Sequence, residues 1–81
     1  MQVKVELFGR ASSQSGEREV TVDVEPGAKL RDVARVLVAR LPVLAWIPEI
    51  CRPARNLEYA HWDDAVQDGD EVSFIPPVSG G

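Results

Sequence analysis

Hydrophobic and polar residues alternate along three stretches of the chain, with the period of two that a half-buried β-strand shows. The stretches cover residues 2–7, residues 18–24 and residues 71–75. In the last of them, the alternation places Val72 and Phe74 on one face. The pattern therefore predicts three strands, each with one face turned toward a hydrophobic core.

A longer period follows the second strand. Apolar residues recur there at the i, i+3, i+4, i+7 spacing of an amphipathic helix, which the following Pro42 is expected to end. The opposite face is rich in Arg and Lys, which is typical of a solvated helix surface. The apolar positions are Leu30, Val33, Ala34, Leu37, Val38 and Leu41.

The connections are read from turn residues and prolines. Residues 11–17, ASSQSGE, are small and polar, so we expect a turn that joins the first two strands into a hairpin. Residues 42–53 contain three prolines, which predicts a folded crossover with one short helical turn and with Trp46 and Ile47 in the core. A short strand over residues 54–59 and a turn-rich segment complete the chain.

The predicted order is strand, strand, helix, strand, strand. A sheet must cover its apolar face with a second layer, so we expect an α+β fold in which a mixed sheet packs on one main helix. Placing the first and last strands side by side and parallel at the sheet centre gives the ubiquitin-like β-grasp arrangement. We expect residues 1–76 to form this domain and residues 77–81 to form a flexible tail.

Composition favours a binding or carrier role. The chain has 81 residues, of which 44% are hydrophobic and 27% charged, as in an ordinary single globular domain. A chain of this length has little capacity for a deep active-site cleft of its own. No apolar run approaches the roughly 20 residues of a membrane span, and the start lacks a signal-peptide core, so we expect a cytoplasmic protein.

Few residues are candidates for catalysis or metal binding. The single cysteine, Cys51, excludes an internal disulfide, and the single histidine, His61, excludes a two-histidine metal site. Cys51 is either a small buried hydrophobe or a sulfur relay, and the first is the expected role. His61 is expected in a surface turn, with proton transfer as the alternative. The aspartates between residues 63 and 70 lack EF-hand spacing, so we predict no metal.

Charge is unevenly distributed. The net charge of −4 argues against nucleic-acid binding. All nine Lys and Arg residues lie within residues 1–55, whereas residues 56–81 hold six acidic residues and no basic one. We therefore expect the chain end to leave from an acidic surface that attracts a basic partner, the alternative being a solvated face without a role.

The last fourteen residues, DGDEVSFIPPVSGG, resemble the C-terminal part of the MoaD/ThiS sulfur carriers. The segments MQVKVELFG, PGAKLRDV and ARNLEYAHWD extend the resemblance over nearly the whole chain. The chain departs from the usual pattern in its first loop and at Arg55, where the family usually has an apolar residue. The ending is most similar to the molybdopterin synthase branch of the family.

The resemblance implies that sulfur is carried as a thiocarboxylate on the terminal Gly81. A carboxylate is a poor electrophile, so a partner enzyme would first adenylate Gly81 with ATP and Mg²⁺, and a sulfur donor would then displace AMP. Because the last residues must enter narrow active sites, Gly80 and Gly81 supply a thin and adaptable backbone. No cofactor is expected to be bound by the chain itself.

The resemblance also implies contacts with partners. Pro76 and Pro77 donate no ladder hydrogen bond and stiffen the exit of the last strand. We expect Phe74 or its neighbours, together with Val78, to supply apolar contacts and Ser79 a small polar one. The implied partners are the large catalytic subunit of molybdopterin synthase, an ATP-dependent adenylating enzyme and a sulfur donor enzyme.

Three alternatives remain open at this point. Sulfur could instead be delivered to thiazole, tRNA or an amino-acid precursor. The chain could also be a ubiquitin-like modifier that forms isopeptide bonds with lysines, or a plain interaction module. In each carrier role it is an accessory sulfur-donor subunit without a catalytic site of its own.

Overall fold

The computed structural model describes residues 1–77, which form one mixed sheet and a layer of helices. The strands are β1 (Gln2–Glu6), β2 (Glu19–Asp23), β3 (Arg52–Arg55), β4 (Glu58–Tyr59) and β5 (Glu71–Ile75). The helices are α1 (Gly9–Ser15), α2 (Leu30–Arg40) and α3 (Ile47–Ile50), with a 3₁₀ turn at Pro42–Leu44.

The strands lie in the order β2-β1-β5-β3-β4. β1 and β5 are parallel neighbours, with Val5 opposite Val72, and the other pairs are antiparallel. β1 and β2 form the predicted hairpin. The α+β class and the β-grasp arrangement, with the first and last strands joined inside the sheet, are therefore confirmed.

The core lies between one face of the sheet and the helices. Alternate residues of β1 and β2 are buried, and α2 packs over them with Leu30 and Leu37 fully enclosed. The intervening side chains are exposed. Two of them, Lys4 of β1 and Glu19 of β2, form a salt bridge. None of the helices described above covers that second face, so it is available for contact with another molecule.

α2 begins and ends close to where the sequence predicts. The carboxylate of Asp32 accepts a hydrogen bond of 2.9 Å from the backbone N–H of Lys29, which satisfies a donor in the first turn. This bond, with the nearby Arg35 guanidinium in support, lowers the pKa of Asp32. Leu41 follows the last helical residue, and Pro42 then starts the 3₁₀ turn.

The turn predicted at residues 11–17 is wrong, because much of this segment is helix α1. Ala11 is buried in the core, and the Trp46 indole N–H donates to the side-chain oxygen of Gln14 at 2.7 Å. Gly16 ends the helix with a φ of 75°, a left-handed conformation that suits glycine. Packing therefore outweighs the weak helix propensity of the small polar residues.

The crossover contains two short helical turns, the 3₁₀ turn and α3, where the sequence predicts one. Ile47 is buried as predicted, but Trp46 is only partly buried. The strand predicted at residues 54–59 is divided into β3 and β4 by a turn at Asn56 and Leu57.

β3 includes Pro53 although it lies between two other strands. Alternate residues of this stretch bond to the β5 side, and Asn56 belongs to that set, because its N–H donates to the Glu71 carbonyl at 2.8 Å. The Pro53 carbonyl instead faces the β4 side and accepts from the Ala60 N–H at 3.0 Å. The missing N–H of Pro53 thus costs no bond to β5, which explains why a proline is tolerated here.

Candidate functional site

The residues predicted to carry the chemistry follow directly after β5. Gly80 and Gly81, together with Val78 and Ser79, lie outside the described residues. Pro76 and Pro77 are described, follow Ile75 without joining the sheet, and are exposed. The site is therefore built from what surrounds the end of β5, which we call the exit end of the sheet.

The exit end gathers parts of the molecule that are distant in sequence. Because β1 is parallel to β5, it finishes at the same end, and Phe8 and Arg10 follow it. β3 is antiparallel and begins there, with Arg52 opposite Ile75. The exit of the chain is thus bordered by residues from the first and the third quarter of the sequence.

The acidic segment lies at the other end of the sheet, so the prediction that the chain end leaves from this acidic surface is wrong. The Asp68 carboxylate accepts from the Gln2 N–H at 2.8 Å, and the Lys4 N–H donates to the Asp70 carbonyl at 3.0 Å. Both contacts lie near the start of β5, about 13 Å or more along the strand from Ile75. The sequence shows the charge difference but not the end at which the fold places it.

Several of these acidic residues also have structural partners. The Asp63 carboxylate pairs with Arg31. The Asp64 carboxylate accepts from the His61 N–H at 2.9 Å, and the Asp70 carboxylate accepts from the Gln67 N–H at 2.8 Å. The bonds of Asp64 and Asp70 close turns between β4 and β5, which is an ordinary use of aspartate.

The structure also corrects the assignment of Phe74 as a partner-binding residue. Its side chain is 5% exposed and stacks on Trp62, with ring centroids 5.7 Å apart. Ile75 is the next residue, so its side chain points to the opposite, open face of the sheet. The apolar residue available for contact beside the exit is therefore Ile75.

Ile75 belongs to an apolar surface on the open face that sequence reasoning missed. Cross-strand pairing places Ala54 between Ser73 and Tyr59, and the Arg52 guanidinium lies 4.3 Å from the centre of the Tyr59 ring. A shallow groove of about 260 Å³ runs along this surface. Its lining residues are Ala54, Leu57, Tyr59, Ser73 and Ile75.

The apolar surface reaches the exit end through Phe8. Continuing the parallel register of β1 and β5 by two residues places Phe8 beside Ile75, and its side chain is 47% exposed. We call the surface formed by Phe8, Ala54, Leu57, Tyr59 and Ile75 the apolar strip. One signal for it exists in the sequence: Phe74 and Ile75 are consecutive apolar residues, which breaks the alternation of a strand with one polar face.

Cys51 and His61 take the positions expected of structural residues. Cys51 is buried beside the core, and this burial raises the pKa of its thiol, partly offset by the charge of Arg10. A protonated, enclosed thiol is a poor nucleophile. His61 is exposed in the turn closed by Asp64. Within residues 1–77, no three side chains of His, Cys, Asp or Glu come together as a metal-binding group.

A second cavity formed by the described residues lies away from the exit. It has a volume of about 590 Å³ and is lined by Met1, Val24 and Gly27 together with charged residues of α2. Met1 and Val24 flank the ends of β1 and β2 that are opposite to the exit end. This cavity is therefore separate from the apolar strip.

Within residues 1–77, none of the helices has the length and apolar character that crossing a membrane requires.

Comparisons with known proteins extend over the whole chain. The model of the ThiS family matches residues 5–81. A molybdopterin synthase sulfur carrier subunit of Chlamydomonas reinhardtii is 39% identical over 83 residues, with 100% of both chains covered. Among solved structures, SAMP1 from Haloferax volcanii has a TM-score of 0.89 at 31% identity, again with 100% of both chains covered.

A third similarity involves a complex. A chain in the solved complex of subunits 1 and 2 of the molybdopterin-converting factor from Helicobacter pylori has a TM-score of 0.70 at 26% identity, with 100% of both chains covered. The full coverage of these matches includes the region of the C-terminal Gly-Gly. The β-grasp fold and the family resemblance seen in the sequence are therefore confirmed.

Proposed function

Since the chain belongs to the ThiS family and its full-length relatives include molybdopterin synthase sulfur carrier subunits, we propose that it carries sulfur as a thiocarboxylate on Gly81. The observation that carries the proposal is the match with full-length sulfur carrier subunits, which extends through Gly81. Gly81 lies six residues after Ile75, the last residue of β5. A carrier needs a reactive group of this kind, tethered to a stable domain and free to enter an enzyme.

The proposed chemistry has two steps, both performed in the active sites of partner enzymes. ATP, with Mg²⁺, transfers AMP to the Gly81 carboxylate and releases pyrophosphate. Sulfur delivered by a donor enzyme at the oxidation level of sulfide then forms a bond to the carbonyl carbon, and AMP leaves with the electron pair of the broken C–O bond. The resulting thiocarboxylate sulfur is nucleophilic and attacks a pterin precursor held by the large subunit, where two such transfers build the dithiolene.

The residues of this chain contribute reach and orientation. Pro76 and Pro77 restrict the backbone where the chain leaves β5. Gly80 and Gly81 have no side chains that would widen the end of the chain. In this proposal, the domain positions the carboxyl group and the partner enzymes provide the catalytic residues.

The apolar strip gives the partner a surface to bind. An enzyme that takes Gly81 into its active site must also cover the exit end, and the strip begins there with Phe8 and Ile75. Aromatic side chains such as Phe8 are enriched in interface cores, from which charged residues are depleted. The solved Helicobacter pylori complex of a similar chain with a second subunit supports the large catalytic subunit as the partner.

The direct test is to incubate the protein with its cognate adenylating enzyme, ATP, Mg²⁺ and a sulfur donor. Intact-mass and peptide mass spectrometry should show one oxygen replaced by sulfur in the C-terminal peptide. A variant lacking Gly81 is the matched control, because it should fold normally and gain no sulfur. An unmodified terminus in the presence of a demonstrably active enzyme would refute the carrier function.

A ubiquitin-like modifier is the second candidate, because SAMP1, a small archaeal modifier protein, is similar over the full length of the chain. Activation of the Gly81 carboxylate by adenylation serves both functions, and only the acceptor differs: sulfur in one case, a lysine amine in the other. Affinity purification of the tagged protein followed by tryptic peptide mapping would detect residues 56–81 linked through Gly81 to lysines, because no Lys or Arg follows Arg55. Recovery of such conjugates without thiocarboxylate would favour the modifier. The cytoplasmic location expected from the sequence remains a prediction for either function.

A further inference from the structure

The turn that joins β3 and β4 has an unusual residue at its tip. Asn56 and Leu57 both have positive φ, 50° and 71°. Positive φ at both central residues is the pattern of a type I′ hairpin turn, in which Asn-Gly is strongly preferred. Asn56 fits the first position, but leucine at the second pays a steric cost because its Cβ crowds the backbone.

The stability of the fold does not account for a leucine at position 57, because this side chain is exposed. Its side chain is 89% exposed, so the hydrophobic core gains almost nothing from it. A residue that strains the backbone and buries no surface is expected where an intermolecular contact compensates for it. Leu57 therefore has the characteristics of a contact residue and not of a structural one.

Asn56 holds the tip in a fixed position. Its side-chain amide donates to the Asp70 carboxylate at 3.1 Å, and its side-chain oxygen accepts from the Glu71 N–H at 3.0 Å. Next to the turn, the backbones of β3 and β4 pair at two positions, Ala54 with Tyr59 and Arg55 with Glu58. Leu57 is thus presented from a rigid hairpin, which lowers the entropy cost of binding through it.

The surroundings of Leu57 indicate what it binds. It lines the same groove as Tyr59 and Ile75, so it forms the far end of the apolar strip whose other end borders the exit. Arg52 lies on the Tyr59 ring within this surface and remains exposed. A complementary partner has an apolar pocket for the hairpin tip and an acidic group opposite Arg52.

We propose that Leu57 is a preformed anchor that inserts into an apolar pocket of the large molybdopterin synthase subunit and fixes the carrier while Gly81 occupies the active site. The inference rests on the proposed function, because it assumes that this partner receives the chain end. The inference adds two things to the proposed function. One is the residue that sets the affinity for the large subunit, and the other is the kind of pocket on that subunit that receives the residue.

The test compares three variants in binding to the purified large subunit from the same organism. Leu57→Asn suits the turn better and removes the apolar contact, so the melting temperature should stay unchanged or rise by up to about 4 °C. Its Kd should rise by about 10- to 30-fold. Leu57→Met keeps an apolar side chain and should bind within about threefold of the unmodified protein. Val43→Asn removes an exposed apolar side chain from the helical layer and should bind normally.

The combination of an unchanged or higher melting temperature with weaker binding identifies an anchor, because a purely structural role would lower both stability and affinity. The inference would be overturned if Leu57→Asn bound the large subunit with unchanged affinity. It would also be overturned if Leu57→Asn weakened binding to the adenylating enzyme but not to the large subunit. If the unmodified protein gains no thiocarboxylate and does not bind the large subunit, the proposed function itself fails. The two failures are therefore distinguishable.

Discussion

Phe74 and Ile75 are consecutive residues of β5 with opposite surroundings. Phe74 lies in the core against Trp62, whereas Ile75 lies on the open face opposite Arg52. The difference follows from the strand itself, because successive side chains point to opposite faces. A residue can therefore be essential for the fold while its neighbour is available for binding.

This difference predicts opposite effects of two substitutions. Phe74→Ala should lower the free energy of unfolding by about 3–5 kcal/mol, because it leaves a cavity beside Trp62. Ile75→Thr keeps a β-branched residue and should cost about 1 kcal/mol or less, but it should weaken binding of the large subunit. Urea unfolding and calorimetric titration measure the two effects. Partner binding that is lost in a folded Phe74→Ala protein and kept in Ile75→Thr would contradict this assignment.

The sequence predicts the buried residues of the sheet better than the binding surface. Val72 and Phe74 follow the alternation, so their burial could be predicted from the local pattern alone. The apolar strip could not, because it joins Phe8, Tyr59 and Ile75 from three separate strands or their extensions. Only the strand order and register bring these residues together.

At the scale of the element, α1 shows how packing creates structure that local propensity does not predict. A helix of seven residues is too short to be stable alone, and its three serines and one glycine favour turns. Its contacts with Trp46 through Gln14 and with the core through Ala11 are long-range. By contrast, α2 has eleven residues with a regular apolar period and could be predicted almost to its ends.

The end of α1 gives a prediction for a single backbone position. Gly16→Ala should lower the free energy of unfolding by about 1–2 kcal/mol, because alanine at a φ of 75° crowds the backbone. An added Cβ would meet no atom within 4 Å, so steric contact with neighbours does not contribute. Thermal or urea unfolding would measure the change, with Ser13→Ala on the exposed side of the helix as a control expected within about 0.5 kcal/mol. Equal stability of the two variants would show that α1 does not depend on its glycine end.

At the scale of the whole molecule, the fold separates the acidic segment from the exit. The lack of basic residues after Arg55 is visible in the sequence, but the direction of β5 decides where the acidic residues lie. Before the strand begins, Asp68 bonds to the backbone of Gln2 and Asp70 closes a turn, and the chain leaves at the far end of β5. Within the apolar strip the exposed charge is instead the guanidinium of Arg52, which lies over Tyr59.

This arrangement predicts which charges steer association with the large subunit. Charges at an interface act mainly on the association rate, and their effect decreases with salt because screening lengths are about 8–10 Å near physiological ionic strength. Arg52→Glu should therefore lower the association rate roughly 3- to 10-fold at low salt and change its salt dependence, whereas Asp63→Lys should have little effect. Arg52→Gln is the matched control, because it removes the charge and the stacking on Tyr59 without introducing repulsion, and its effect should be intermediate. Stopped-flow or surface plasmon resonance measurements at several salt concentrations would compare the three. A larger effect of Asp63→Lys than of Arg52→Glu would mean that the partner approaches the surface around Asp63 and not the surface around Arg52.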